Sequence, residues 1–318
     1  MSLPASVRLK RTFDINGLRA DLRKLAEFPI RPQGSPYHNG EWKGVGLHTP
    51  GGLWEWNRAP IAPYKETALL RRAPTIQRVL NSIPGPKFMV RLLHLMPGGE
   101  IYEHRDTCLN FEIGRVRLHV PIVTNRGIEF YLGGERMRWK PGELWYGDFS
   151  RPHRIVNATR TERVHLVIDV APTRELLRLF PKDHGADQLR HGISLFEESA
   201  RLSLSELSRF CCRVKIPTGL LTSSLSSKKR MLGAEIILVG KGLFLYIEGK
   251  PAYVLEPISE KTLTLQGVGR GVSAEFLWNS RGVSGIILHL NGLALGDGKT
   301  ETILPYRQMK LRSIQPPS

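Results

Sequence analysis

Cysteine is scarce in this chain of 318 residues: there are three, two of them the adjacent pair Cys211-Cys212. That excludes a disulfide framework and makes a reducing, cytoplasmic setting the default. No apolar run approaches the roughly 20 residues that a membrane-spanning helix needs. The opening segment MSLPASVRLKRTF lacks the continuous apolar core of a secretory signal, so no membrane partner is expected. Acidic residues are also few, 29 against 46 basic ones, for a formal charge of +17. Such a charge attracts polyanions. The basic groups are nevertheless scattered, with short clusters at Arg8, Lys10 and Arg11, at Arg71-Arg72 and at Lys228-Lys229-Arg230. They are not interleaved with aromatics, and no zinc-finger, RNA-recognition or basic-zipper signature is present. The excess charge is expected to be solvated surface or to attract an acidic substrate, and nucleic acid is not expected as the principal partner.

What is present is a run of short apolar segments punctuated by turns. Residues 13–27 read as an amphipathic helix, with Leu18, Leu22 and Leu25 at helical spacing and Asp14 as N-cap. A second helix is expected at 74–83, stopped by Pro84-Gly85-Pro86. From Lys87 to Val170 the pattern is all β, with FMVRLLHLM, VRLHVPIV, IEFYL, ELWYGD and RVHLVIDV separated by Pro-Gly and Gly-Gly clusters. Strands at this spacing predict a barrel or jelly roll that can hold a metal in its mouth. Helix is expected again at 173–180 and within 186–209. Beyond 215, short strands separated by Gly predict a second, smaller antiparallel β domain, with Ser223 to Ser227 as a linker or loop. The expected organisation is a first domain at 1–182 with its core at 87–172, a helical connector at 183–214, and an accessory β domain at 215–318.

Chemistry concentrates between His104 and Asp169. His104 and Asp106 alternate around Arg105, so on a strand they would share a face. His153 follows a turn at what reads as a barrel rim, and Arg163 opens the next apolar strand. Two imidazoles and one carboxylate can occupy one face of an octahedral iron(II) site and leave the opposite positions free. An arginine fork suits a dicarboxylate. Taken alone, H-x-D also describes a surface histidine beside an aspartate. Arg117 and His119 form a basic pair on one face of VRLHVPIV. Its burial requires an anion, either Glu112 or Glu129 in a salt bridge, or a bound ligand.

The segments HRD, RVRLHVPIVTN, GELWYGDFSRPH and RVHLVIDV, with SPYHNGEWKGVGL upstream, resemble the aspartyl/asparaginyl β-hydroxylase family over about residues 10–180. That family belongs to the Fe(II)/2-oxoglutarate dioxygenases and includes cis-proline hydroxylases. The resemblance implies a double-stranded β-helix of the jelly-roll, cupin-like kind with flanking helices. It implies Fe(II) held by His104, Asp106 and His153, with 2-oxoglutarate as cosubstrate and O₂ as oxidant. Arg163 would pair with the distal carboxylate of 2-oxoglutarate, and Arg117 with His119 would contact its chelating end. The acid at Asp106 is similar to the proline-hydroxylase branch. Where the animal enzyme has a serine that assists the cosubstrate, the neighbourhood of Leu93 is apolar, and Arg91 or His94 is expected to compensate.

By the same resemblance His38, Trp42, Trp54 and Trp56 lie in a segment covering the barrel mouth and are candidates to line a substrate pocket. As aromatics they would equally serve as core. His165 shares a face with Arg163, Asp148 is expected to close the turn before His153, and Cys108 to be a packing residue. The C-terminal part carries no catalytic constellation and is faintly similar to the lipocalin-like module of serine β-lactamase-like peptidases. The expected function is hydroxylation of an amino-acid side chain, peptide-borne or carrier-bound. The alternatives are a free amino-acid, proline-type hydroxylase and, from another class, a non-catalytic β-barrel binding protein.

Overall fold

Side chains on a strand alternate between two faces, and that alternation builds a two-layered unit around the expected core. The computed structural model describes residues 4–55, 61–106, 109–182, 184, 195–196, 200–217, 231–266, 271–290, 294–296, 301–303 and 307–315. Trp56, Cys108, His191, Ser223 to Ser227 and the Lys228-Lys229-Arg230 cluster lie outside these residues. The chain divides into two compact units, Met1–Phe111 with Arg115–Leu195, and Phe196–Ser318 with Glu112–Gly114.

The first unit contains, in order, β1 (Ser6–Thr12), α1 (Ile15–Leu25), β2 (Arg31–Pro32), β3 (Trp42–Pro50), β4 (Tyr64–Glu66) and α2 (Pro74–Ser82). There follow β5 (Lys87–Leu95), β6 (Glu100–His104), β7 (Val116–Val123), β8 (Ile128–Leu132), β9 (Glu135–Arg136), β10 (Glu143–Gly147), β11 (His153–Asn157), β12 (Arg163–Val170) and α3 (Arg174–Leu177). One antiparallel sheet has the order β1-β10-β7-β12-β5-β3-β2, with β4 also on β3; the other has the order β6-β11-β8-β9. From β5 to β12 the chain passes back and forth between the sheets, which is the double-stranded β-helix. Gly133 and Gly134, at φ +61° and +85°, make the two-residue turn between β8 and β9 that side chains with a Cβ disfavour.

In β12 all eight residues are buried. Val164, Leu166, Ile168 and Val170 join α1 and α2 in the core on the outer face of the large sheet, with Leu18, Leu25, Ile76 and Val79. Arg163, His165, Val167 and Asp169 occupy the inner face, toward the small sheet. A second core between the sheets contains Leu95, Ile101, Phe130, Leu132, Trp139, Phe149 and Ile155. β1 had no expected counterpart; its Val7 and Leu9 enter the outer core.

The expected caps are observed: Asp14 caps α1 by accepting from the N–H of Asn16, and α2 ends at Ser82 before the Pro-Gly-Pro stop. In contrast, α2 has no side-chain cap at its own N-terminus. The buried carboxylate of Asp21 on α1 serves instead, accepting from the N–H groups of Thr75 and Ile76 at 2.6 and 2.9 Å.

In the second unit α4 (Leu204–Ser208) precedes β13 (Cys212–Pro217), β14 (Met231–Val239), β15 (Gly242–Ile247), β16 (Lys250–Ser259), β17 (Thr262–Leu265), β18 (Val272–Asn279) and β19 (Gly282–Leu290). β20 (Ala294–Gly296) pairs with β21 (Glu301–Ile303), and β22 (Arg307–Gln315) closes β13 to β19 into an eight-stranded antiparallel barrel. A strand already at Cys212 corrects the expected start at 215. Residues from about 204 are not a connector either, because Leu207 and Phe210 fill the barrel's own core. A cavity of about 110 Å³ inside the barrel has apolar walls. No helix among the described residues is long and apolar enough to cross a membrane.

Asp21→Ala should lower unfolding stability by about 1–3 kcal/mol, because two buried N–H groups lose their acceptor. Urea denaturation measures it; a midpoint equal to that of the unaltered protein would show that α2 needs no cap from α1.

Candidate metal centre and the interior basic network

His104 ends β6, and His153 begins β11 directly opposite it in the antiparallel register. Their rings lie 4.2 Å apart. Asp106 is not on the strand, as the H-x-D alternation predicted, but two residues past its end. Its backbone N–H donates to the Phe149 carbonyl at 2.8 Å, which turns the carboxylate back toward the histidines. One ligand atom from each of His104, Asp106 and His153 lies within 4.8 Å of the others. Both imidazoles are buried and Asp106 is half-buried.

The donor chemistry fits a cation. His104 Nδ1 meets the Tyr102 carbonyl at 2.8 Å and His153 Nδ1 meets the Arg151 carbonyl at 3.0 Å. A carbonyl can only accept, so each Nδ1 carries the proton and each Nε2 keeps its lone pair for the cluster. Burial, outweighing the nearby Asp106, pulls His153 down to about 4 and keeps it neutral. Burial disfavours the charge on Asp106, but Arg117, His153 and His104 outweigh it and hold the carboxyl below its ordinary value.

Arg117 links this cluster to a fully buried acid. Its Nε donates to Asp169 Oδ1 at 2.7 Å, and its Nη1 donates to Asp106. Arg115 donates to Asp169 at 2.8 Å, and Arg91 stands 3.8 Å from the same carboxylate. Burial opposes the charge on Asp169, yet Arg117 and Arg115 hold its carboxyl far below the usual carboxylate range. Burial, reinforced by Arg117, pulls Arg91 down to about 10. The expected partners Glu112 and Glu129 are thus replaced by Asp169 and Asp106. The sequence pattern assigned Asp169 no role. The overlooked signal was alternation, since Arg163, His165, Val167 and Asp169 share one face, opposite Arg117 in the β7–β12 register.

At the other end of β12, Arg163 is 3% exposed and has no carboxylate partner among the described residues. Its Nη2 lies 3.0 Å from His165 Nδ1, which lies 3.2 Å from His119 Nδ1. Arginine only donates, so His165 Nδ1 accepts and its proton is assigned to Nε2. That buried N–H has no partner, and His119 Nε2 has none either. Burial, with Arg163 nearby, holds both histidines well below their ordinary value, and burial pulls Arg163 down to about 9, leaving it cationic at neutral pH.

A small cavity of about 30 Å³ joins the three ligand residues to Trp42, Leu93, Arg117, His119 and Arg163. Tyr37, which sequence reasoning overlooked, stacks on His104 at 4.7 Å, and Trp42 Nε1 is buried without a partner. Other candidates fall elsewhere. His38 spends its ring nitrogens on Gln33 O and Gly40 N, both at 2.9 Å, and meets Trp42 edge-on. Trp54 packs into the outer core under Arg31. His94 faces that outer side too, bonded to Glu162 at 2.9 Å, so it cannot assist an interior cosubstrate. Asp148 closes its turn by accepting from Ser150 and Arg151.

Residues 13–172 match the family described as aspartyl/asparaginyl beta-hydroxylase. The chain belongs to this family. Among curated proteins it is similar to L-proline cis-3-hydroxylase 2 from a Streptomyces species, 24% identical over 169 residues. That alignment covers 51% of this chain and 58% of that protein, so the chain spans little over half the length of this relative. Similar solved structures include an oxidoreductase of the 2OG-Fe(II) oxygenase family from Burkholderia pseudomallei (14% identity, TM-score 0.38, 52% of this chain and 84% of that one). A prolyl-4-hydroxylase from Pseudomonas putida is similar at 13% identity and TM-score 0.34, over 52% of this chain and 92% of that one. The structural likenesses are distant, and the jelly-roll assignment rests on this family member's own strand order.

Replacing Asp169 with Asn should destabilise the protein by about 3–5 kcal/mol at neutral pH, because three largely buried guanidiniums lose the carboxylate they share. A carboxyl depressed in the folded state contributes stability that is present above its ordinary value of 3.8 and lost as pH falls below it. The gap between variant and parent should therefore narrow under acid. Denaturant titrations at neutral and acid pH measure it; a gap that is small at pH 7 would mean the network does not hold the sheet together.

Proposed function

We propose that this protein is an Fe(II)- and 2-oxoglutarate-dependent dioxygenase that hydroxylates an amino-acid side chain, peptide-borne or carrier-bound. The observation that carries the proposal is the convergence of His104, Asp106 and His153, with their lone pairs free, beside a buried guanidinium that has no acidic partner among the described residues. His104, Asp106 and His153 would hold the iron, which, when bound, supplies O₂ activation coupled to oxidative decarboxylation of 2-oxoglutarate. Arg163, whose planar fork suits a carboxylate, would pair with the distal carboxylate of 2-oxoglutarate. Arg117 and His119 would contact the chelating end of the cosubstrate, and Arg117 also donates to the Asp106 carboxylate. Leu93, Ile101, Phe149, Ile155 and Val167 keep water from the reacting atoms. Tyr37 and Trp42 border the substrate side, where the Trp42 N–H is a donor awaiting an acceptor. The charge of +17 favours an acidic substrate.

A second reading, hydroxylation of a free amino acid, is favoured by the similarity to a protein named as a proline hydroxylase. Free proline, other free amino acids and acidic peptides should be incubated with the iron-loaded protein and scored by mass for the gain of one oxygen. Consumption of 2-oxoglutarate with no oxygen gained by any of them would sink the side-chain assignment. Anaerobic titration with Fe(II) and 2-oxoglutarate should give a visible charge-transfer band. His153→Ala should weaken metal binding by more than the roughly 10–100-fold that loss of an outer hydrogen-bond partner costs. An unchanged iron affinity in that variant would refute the ligand set.

A further inference from the structure

The end of the jelly roll opposite the metal cluster is open. A cavity of about 590 Å³ lies between the β7–β8 and β9–β10 connections, with Phe130 and Trp139 in its walls. Cavities of about 300–1,000 Å³ accommodate small ligands. Arg163 and His165, both buried, stand at its inner end; Arg126, Arg138 and Lys140, all exposed, stand around it. Among the described residues, no acidic side chain lines it. Arg138 donates to the Arg126 carbonyl at 2.6 Å, which ties the two connections together. The nearby Glu143 is occupied by Arg8 at 3.2 Å and by the Lys140 and Trp145 N–H groups. The His165 Nε2–H, buried and without an acceptor, borders this space.

On the metal side the space is about 30 Å³, roughly one water molecule. Tyr37 stacked on His104 adds to the enclosure there. Arg163 lines both cavities and so stands between the rim and the metal cluster.

We propose that this basic vestibule is an anion-binding site that captures the dicarboxylate cosubstrate and passes it inward to Arg163 and the His165 N–H. Cosubstrate and amino-acid substrate then enter from opposite ends of the jelly roll. The inference rests on the cosubstrate reading above and adds the route and the residues that form it. Clefts lined by one sign of charge raise association rates of oppositely charged ligands by about 10–1,000-fold, and salt suppresses the gain.

The test is anaerobic stopped-flow association of 2-oxoglutarate with the iron-loaded protein across a salt series, comparing the parent with an Arg126→Glu/Lys140→Glu double variant. Both substituted side chains are exposed, and neither has an acidic partner among the described residues. Association should slow about tenfold in the variant and lose most of its salt dependence. Calorimetric titration of the metal-free protein with 2-oxoglutarate should show the same weakening, independently of turnover. A variant that binds as fast as the parent, with the same salt response, would overturn the vestibule and leave the cosubstrate reading intact. A parent protein that binds no 2-oxoglutarate by either measurement would overturn both.

Discussion

A single buried carboxylate organises the interior of the first unit. Asp169 has no exposed surface, and Arg115 and Arg117 donate to it while Arg91 stands at 3.8 Å. Without it, like charges would face one another in a low-dielectric space, an arrangement that costs about 3–5 kcal/mol. Arg117 extends the network outward to Asp106, so the orientation of one candidate metal ligand depends on an acid near the far end of β12. Structural charge and site charge are therefore one connected system.

The double use of β12 follows from strand geometry. Its even-numbered residues are aliphatic and join the helices α1 and α2 in the outer core, whereas its odd-numbered residues present Arg163, His165 and Asp169 to the interior. Because successive residues rise about 3.3 Å, the one strand carries an anchoring acid near the metal cluster and, at the opposite end, a guanidinium bonded to His165. Among the described residues, the polar groups left unmatched on the inner face include His119 Nε2, His165 Nε2 and Trp42 Nε1. Buried groups without partners are costly, and their concentration here is what distinguishes a ligand chamber from an ordinary sandwich core.

Much of the fold was legible in local pattern. The apolar runs at 116–123, 128–132 and 163–170 coincide with β7, β8 and β12, and Asp14 and the Pro-Gly-Pro stop mark helix ends correctly. These succeed because period, capping and turn chemistry act between near neighbours. The errors involve partners far apart in the chain. β1 is polar on one face and gains its place only by pairing with β10. Trp54 and His94 had the right residue types for a pocket, yet Trp54, in the connection after β3, and His94, on β5, both lie on the outer side.

The order of residue types along the chain determined that two imidazoles, a carboxylate and an arginine would be available at or just beyond the ends of short strands of a jelly roll, since each signal is local. Tertiary structure decided which basic side chains are neutralised. Arg117 is claimed by Asp169 and Asp106, whereas Arg163 has no carboxylate partner among the described residues, a distinction that register across β7 and β12 creates. The enclosure around His104 and the opening at Arg126 and Lys140 arise in the same way. Both depend on which loops meet at each end of two sheets, and no segment encodes that meeting alone.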